Sequence, residues 1–183
     1  MPEHQLYYIA ILCPDQIDRM VLDHKLWLKE QFGCAHALKS PAHLTLVPPF
    51  RLEESREEEL IQLLRTFTGP TGGLTITLNG FGHFSKKVLY IHVEETPALH
   101  EIKKQADIHF EALAGHVIKP DIRPFHPHIT LATRDLSPHD FDRAWAHVSD
   151  LSFDETFWSG TMSLLRLSPG RWQVIAEKNW QTG

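Results

Sequence analysis

The chain has 183 residues, 42% of them hydrophobic and 22% charged, with a formal net charge of −5. That length allows one good-sized domain or two small lobes, burying roughly 70% of the unfolded surface. The acidic balance excludes a protein that wraps long nucleic acid through many phosphate contacts, and leaves open a nucleotide or an RNA end held in a local basic pocket.

Gln5–Cys13 (QLYYIAILC) is apolar and β-rich and is closed by Pro14, the pattern of a buried strand. Asp15 is a candidate N-cap for a helix to about Phe32, with Ile17, Met20, Val21, His24, Leu26 and Leu28 as its apolar stripe and Gly33 as its stop. A short strand at His43–Leu46 is expected to end at Pro48 and Pro49, followed by an acidic helix over about Glu54–Phe67 and a strand at Leu74–Leu78. The same order then recurs. Val88–Val93 reads as a strand, Pro97–Leu113 as a helix, His128–Ala132 as a strand, and Ser137–Val148 as a helix capped by Ser137 with Pro138 in its first turn. Met162–Leu167 and Trp172–Glu177 form a closing hairpin about the Pro169-Gly170 turn. No segment approaches the apolar length of a membrane span, the N-terminal apolar run is too short for a signal peptide, and Cys13 and Cys34 form no metal-spaced or CxxC set. A cytoplasmic protein with two reduced thiols is expected.

Two short stretches occupy matching places in this repeated order: HLTLVPPF from His43 and FHPHITLAT from Phe125. Tyr8 precedes His43 by 35 residues, and Tyr90 precedes His128 by 38. Strand side chains alternate, so His43 shares a face with Thr45, and His128 with Thr130, while Leu44, Leu46, Ile129 and Leu131 take the opposite faces. A lone His-x-Thr in a strand is ordinary sheet. Two copies at matching points can instead face each other, supplying one imidazole as base, one as acid, and two hydroxyls for phosphate oxygens. The motifs are expected on central strands of two related lobes.

HLTLVPPF and HPHITLAT resemble the paired signatures of the 2H phosphoesterase superfamily, which includes 2′-5′ RNA ligase-like proteins and RNA 2′,3′-cyclic phosphodiesterases. The resemblance extends over the opening YYIAIL, the segment GFGHFSKKVLYIHV and the closing hairpin. It implies an α+β, bilobal fold of two pseudo-symmetric lobes, each an antiparallel-rich sheet with helices outside, around a groove. The lobes are expected over about residues 15–87 and 97–170, with terminal strands exchanged between them. It implies catalytic roles for His43 and His128 and phosphate contacts for Thr45 and Thr130. Relatives are expected to carry HxTLAR at the second motif; here Thr133 takes the arginine's place and Arg134 follows it.

Arg134, Lys86, Phe84, Tyr90 and His126 are further candidates for substrate contact. His126 and His128 form a His-x-His pair, but no third ligand follows at a suitable spacing, so neither a metal nor another cofactor is expected. The expected activity is metal-independent hydrolysis of a 2′,3′-cyclic or 2′-5′ phosphodiester on a nucleotide or RNA end, by a monomer with no membrane partner. Competing readings are 2′-5′ ligation at the same site, a non-catalytic nucleotide or RNA-end binding module, and a metal-dependent phosphohydrolase.

Overall fold

The structure, a computed structural model, describes residues 3–111, 113, 118 and 123–180. Among these residues the chain forms eight strands and four α-helices in the order β1 (His4–Leu12), α1 (Asp15–Phe32), β2 (His43–Glu53), α2 (Glu57–Thr66), β3 (Leu74–Phe84), β4 (Val88–Val93), α3 (Pro97–Glu111), β5 (His128–Thr133), α4 (Pro138–Ser149), β6 (Asp154–Ser159), β7 (Thr161–Ser168) and β8 (Arg171–Asn179). One sheet has the order β2-β1-β7-β8 and the other β5-β4-β3-β6, with antiparallel pairing throughout. The fold is α+β, with two lobes related by pseudo-symmetry. β1 matches β4, and the His-x-Thr strand β2 matches β5.

Several boundaries depart from expectation for identifiable reasons. β2 runs through Pro48 and Pro49 rather than ending there. Tyr7 pairs with Phe50 and Ile9 with Val47, so both prolines fall in a bulge opposite Tyr8 on an edge strand, where their missing N–H breaks no ladder bond. Both motif strands are edge strands, not central ones. The acidic helix α2 begins only after a 3₁₀ turn at Glu54–Arg56. β6 has no counterpart among the expected elements, because in DETFWS only Phe157 is buried and the apolar alternation is weak. The expected α3 helix included Ala112, which lies outside the described residues.

The two sheets do not follow chain order. β3, expected in the first lobe, turns at Ser85 (φ 51°) into a hairpin with β4 and so joins the second sheet. The hairpin β7–β8 returns to β1 in the first.

α1 starts after Pro14, which makes no side-chain cap, so Asp15 is the first helical residue rather than the N-cap. It ends where Gly33, at φ 74°, donates its N–H to the Lys29 carbonyl at 2.8 Å, a left-handed stop that glycine adopts without strain. Its buried face is Ile17, Val21, Lys25 and Leu28, while Leu26 is exposed. In α4 the Ser137 hydroxyl accepts from the Asp140 N–H, the expected cap.

One continuous core holds Ile9, Leu44, Leu46, Ile91, Ile129 and Leu131. Each such side chain contributes about 1.5–3 kcal/mol by leaving water. Those leucines and isoleucines fix the register of β2 and β5, since a one-residue slip would exchange them with the histidines and threonines. α1 packs against β5 and α3 against β2, so each lobe's helix braces the other lobe's motif strand.

Candidate active site

The two motif histidines are held in the same way. His43 Nδ1 lies 2.7 Å from the Pro41 carbonyl, and His128 Nδ1 lies 2.7 Å from the His126 carbonyl, in each case two residues upstream. A carbonyl only accepts, so each Nδ1 carries the proton and each Nε2 keeps its lone pair. A tyrosine backs each ring: Tyr8 on β1 with ring centroids 4.8 Å from His43, and Tyr90 on β4 at 5.2 Å from His128. The tyrosines occupy matching strands, so the lobe symmetry extends past the His-x-Thr pairs.

β2 and β5 meet at a groove with a cavity volume of about 510 Å³, whose lining includes Thr45, His128, Thr130, Phe84, Phe125 and His126. His43 is not itself among the lining residues; it shares the face of Thr45 on β2 and lies near enough to His128 for the two rings to interact electrostatically. Pro48, Pro49, Pro124 and Pro127 complete much of the wall, which also includes Arg123 and Lys103, the latter paired with Asp107. A shallower depression continues past Lys103, Arg123 and Phe125 to His100 and Lys104.

The electrostatics of the two rings differ. Burial pushes His43 down to about 4, the Pro41 hydrogen bond opposes the drop, and Lys25 and, when protonated, His128 add to it. Burial also lowers His128, against its bond to the His126 carbonyl and with help from the His126 side chain. Both rings are neutral in the free protein at pH 7.

A model of the 2′-5′ RNA ligase superfamily matches residues 14–171, a span that contains both motifs. The chain belongs to this superfamily, the 2H phosphoesterases. It is 28% identical over 172 residues to a Geobacillus kaustophilus protein named "Putative phosphoesterase", covering 92% of each chain. It is also 28% identical over 144 residues to a Geobacillus thermodenitrificans protein of the same name, covering 76% of this chain and 79% of that one. Among solved structures, Escherichia coli LigT complexed with 3′-AMP matches with a TM-score of 0.67 at 22% identity, covering 96% of this chain and 97% of that one. TT0787 of Thermus thermophilus matches with a TM-score of 0.66 at 19% identity, covering 97% of this chain and 98% of that one. At these identities the structural matches establish the 2H fold.

Within this 2H phosphoesterase the remaining candidates separate. Phe84 and His126 line the groove, and Tyr90 stands behind it against His128 and Phe84. His126 is held on both sides, with Nδ1 3.2 Å from Glu95 and Nε2 3.2 Å from the Tyr90 hydroxyl. Among the described residues no three His, Cys, Asp or Glu side chains are grouped as metal ligands.

Lys86 and Arg134 lie outside the groove lining. Lys86 is exposed and paired with Asp142 at 2.7 Å, on α4. Arg134 sits in the turn after β5 at φ 69°, exposed and beside His36, because the chain leaves the strand at Thr133.

Residues that sequence reasoning missed include Tyr8, Lys25, Lys103, Arg123 and Phe125. Signals for some of them were present. Lys25 continues the i, i+4 row of Ile17 and Val21, a place where an exposed lysine is out of pattern. Arg123 and Phe125 lie immediately before the second motif.

Proposed function

We propose that this protein is a phosphodiesterase that hydrolyses a 2′,3′-cyclic or 2′-5′ phosphodiester of a nucleotide or RNA end, with His43 as general base and His128 as general acid. The observation that carries the reading is the pair of Nδ1-anchored imidazoles, each followed two residues on by a threonine at one groove. His43 Nε2 takes a proton from water as the water oxygen bonds to phosphorus. The opposite P–O bond breaks, and its electrons go to the departing ribose oxygen, which takes a proton from His128 Nε2. Thr45 and Thr130 donate hydrogen bonds to the non-bridging oxygens.

The unequal electrostatics favour this assignment. His43 lies deeper below its ordinary value and has Lys25 beside it, so it resists protonation and serves as the base. His128, on the groove wall, takes up its proton when an anionic phosphodiester binds against it. LigT, which shares this fold, forms complexes with 3′-AMP, NADP+ and ATP, and this supports a ligand of nucleotide size.

Two imidazoles supply both proton transfers, so the scheme asks for no metal. Incubation with the four nucleoside 2′,3′-cyclic monophosphates in excess EDTA should yield a single monophosphate regioisomer. Turnover lost in EDTA and restored by one divalent ion would overturn the scheme, and joining of 2′-5′ ends in place of cleavage would favour ligation.

A further inference from the structure

Lys25 is buried to 4% exposure on the inner face of α1. Among the described residues the other buried lysine, Lys103, has the carboxylate of Asp107 beside it, whereas the Lys25 ammonium donates to a backbone carbonyl, that of Ser40, at 3.0 Å. The nearby Asp18 acts on Lys25 electrostatically but turns its Oδ1 to the Ala42 N–H at 2.6 Å. An ammonium out of water without a bonded carboxylate is costly, and burial lowers it to about 8.

Its surroundings indicate a use. Asp18 and Lys25 are seven residues apart, two turns along one helix face, and they clamp the two ends of Ser40–Ala42, one as acceptor and one as donor. Tyr8 adds a third tie, its hydroxyl donating to Ser40 Oγ at 3.3 Å. Between the clamped ends lies Pro41, whose carbonyl holds the His43 Nδ1–H. The second lobe is built differently: the His126 carbonyl that holds His128 belongs to a residue tied by Glu95 and Tyr90. The charged and titratable groups facing Lys25 are Asp18, Cys13 and His43, and those facing His43 are Lys25, Tyr8 and His128.

We propose that Lys25 is a positioning residue for His43: with Asp18 it fixes the Ser40–Ala42 segment whose Pro41 carbonyl sets the ring's tautomer. The proposal rests on the reading of His43 as the general base. It gives the two histidines different supports, a lysine-clamped backbone before one ring and a carboxylate-tied imidazole beside the other.

The test uses the full chain, with imidazole 15N spectra followed against pH in the parent and in Lys25→Met, Lys25→Gln and Lys25→Arg. Methionine has similar length and no charge, glutamine keeps a donor for Ser40, and arginine restores the charge. The His43 midpoint should rise by about one pH unit in Lys25→Met and Lys25→Gln, a tenfold gain in proton affinity, and return toward the parent's in Lys25→Arg. With 2′,3′-cyclic AMP, kcat of Lys25→Met should fall about tenfold with little change in KM, and the acidic limb of kcat/KM should move up with the midpoint. A folded Lys25→Met or Lys25→Gln with the parent's His43 midpoint and tautomer would overturn the proposal. If the parent does not turn over cyclic nucleotides but the midpoint still moves, the phosphodiesterase reading fails while the Lys25–His43 coupling stands.

Discussion

The two lobes present the same device in unequal settings. Each has an edge strand carrying His-x-Thr, a carbonyl two residues upstream that pins the ring, and a tyrosine from the neighbouring strand behind it. In the first lobe the ring sits among Tyr8, Pro41 and the buried Lys25, and burial drives it to about 4. In the second the ring lines the groove, with Phe84 at 5.0 Å between ring centroids, and His126 and Glu95 lie beyond it. The backbone device sets where the proton can sit, and the surroundings decide how willingly the ring takes one. A symmetric scaffold can therefore run an asymmetric reaction, in which one imidazole must be neutral while the other is charged.

Removing either ring breaks the pair outright. His43→Ala and His128→Ala should each lower turnover on a 2′,3′-cyclic nucleotide by roughly 10²–10⁴-fold, the usual worth of one positioned acid or base. Loss in the double variant should be smaller than the product of the two, because the groups act as a unit. The thermal midpoints of the single variants should stay close to the parent's, since Leu44, Leu46, Ile129 and Leu131, not the histidines, pack the core. Near-parental turnover in both folded variants would make the paired motif ordinary sheet.

The threonines probe how far the symmetry extends. Thr45→Val and Thr130→Val keep the β-branched shape and remove one hydrogen bond to a phosphate oxygen, so each should cost roughly tenfold in kcat/KM, less than either histidine. Similar losses would place the phosphate evenly between the strands. A full loss at one threonine and none at the other would show that a single lobe holds it.

The motif geometry was legible because period-two alternation is a strong signal: leucine and isoleucine on one side of β2 and β5 leave His and Thr together on the other. The repeated element order was legible for a similar reason, through the apolar runs of β1 and β4. What escaped notice depends on contacts distant in sequence. Lys25 falls on the buried row of α1, but its partner shows only when the fold lays Ser40 against it. β6 gains its place by pairing with β3, about 80 residues away, and not from its own pattern. The sheet membership of β3 likewise depends on its hairpin with β4, which takes it into the second sheet. Arg134 follows β5 at a left-handed backbone position, φ 69°, which the spacing from His128 does not announce.

The most direct test of the account is the pH dependence of kcat/KM on one 2′,3′-cyclic nucleotide, in the parent and in each single histidine variant. Active free protein needs His43 neutral, which holds above about 4, and His128 protonated, which holds only below its own lowered midpoint. The parent should therefore give a bell on the acidic side of neutrality, its rising limb from His43 and its falling limb from His128. The residual activity of His43→Ala should lose the rising limb and keep the falling one, and that of His128→Ala the reverse. If both variants kept the parent's full bell, or if the limbs were lost in the opposite pairing, the division of labour between the two lobes would be contradicted.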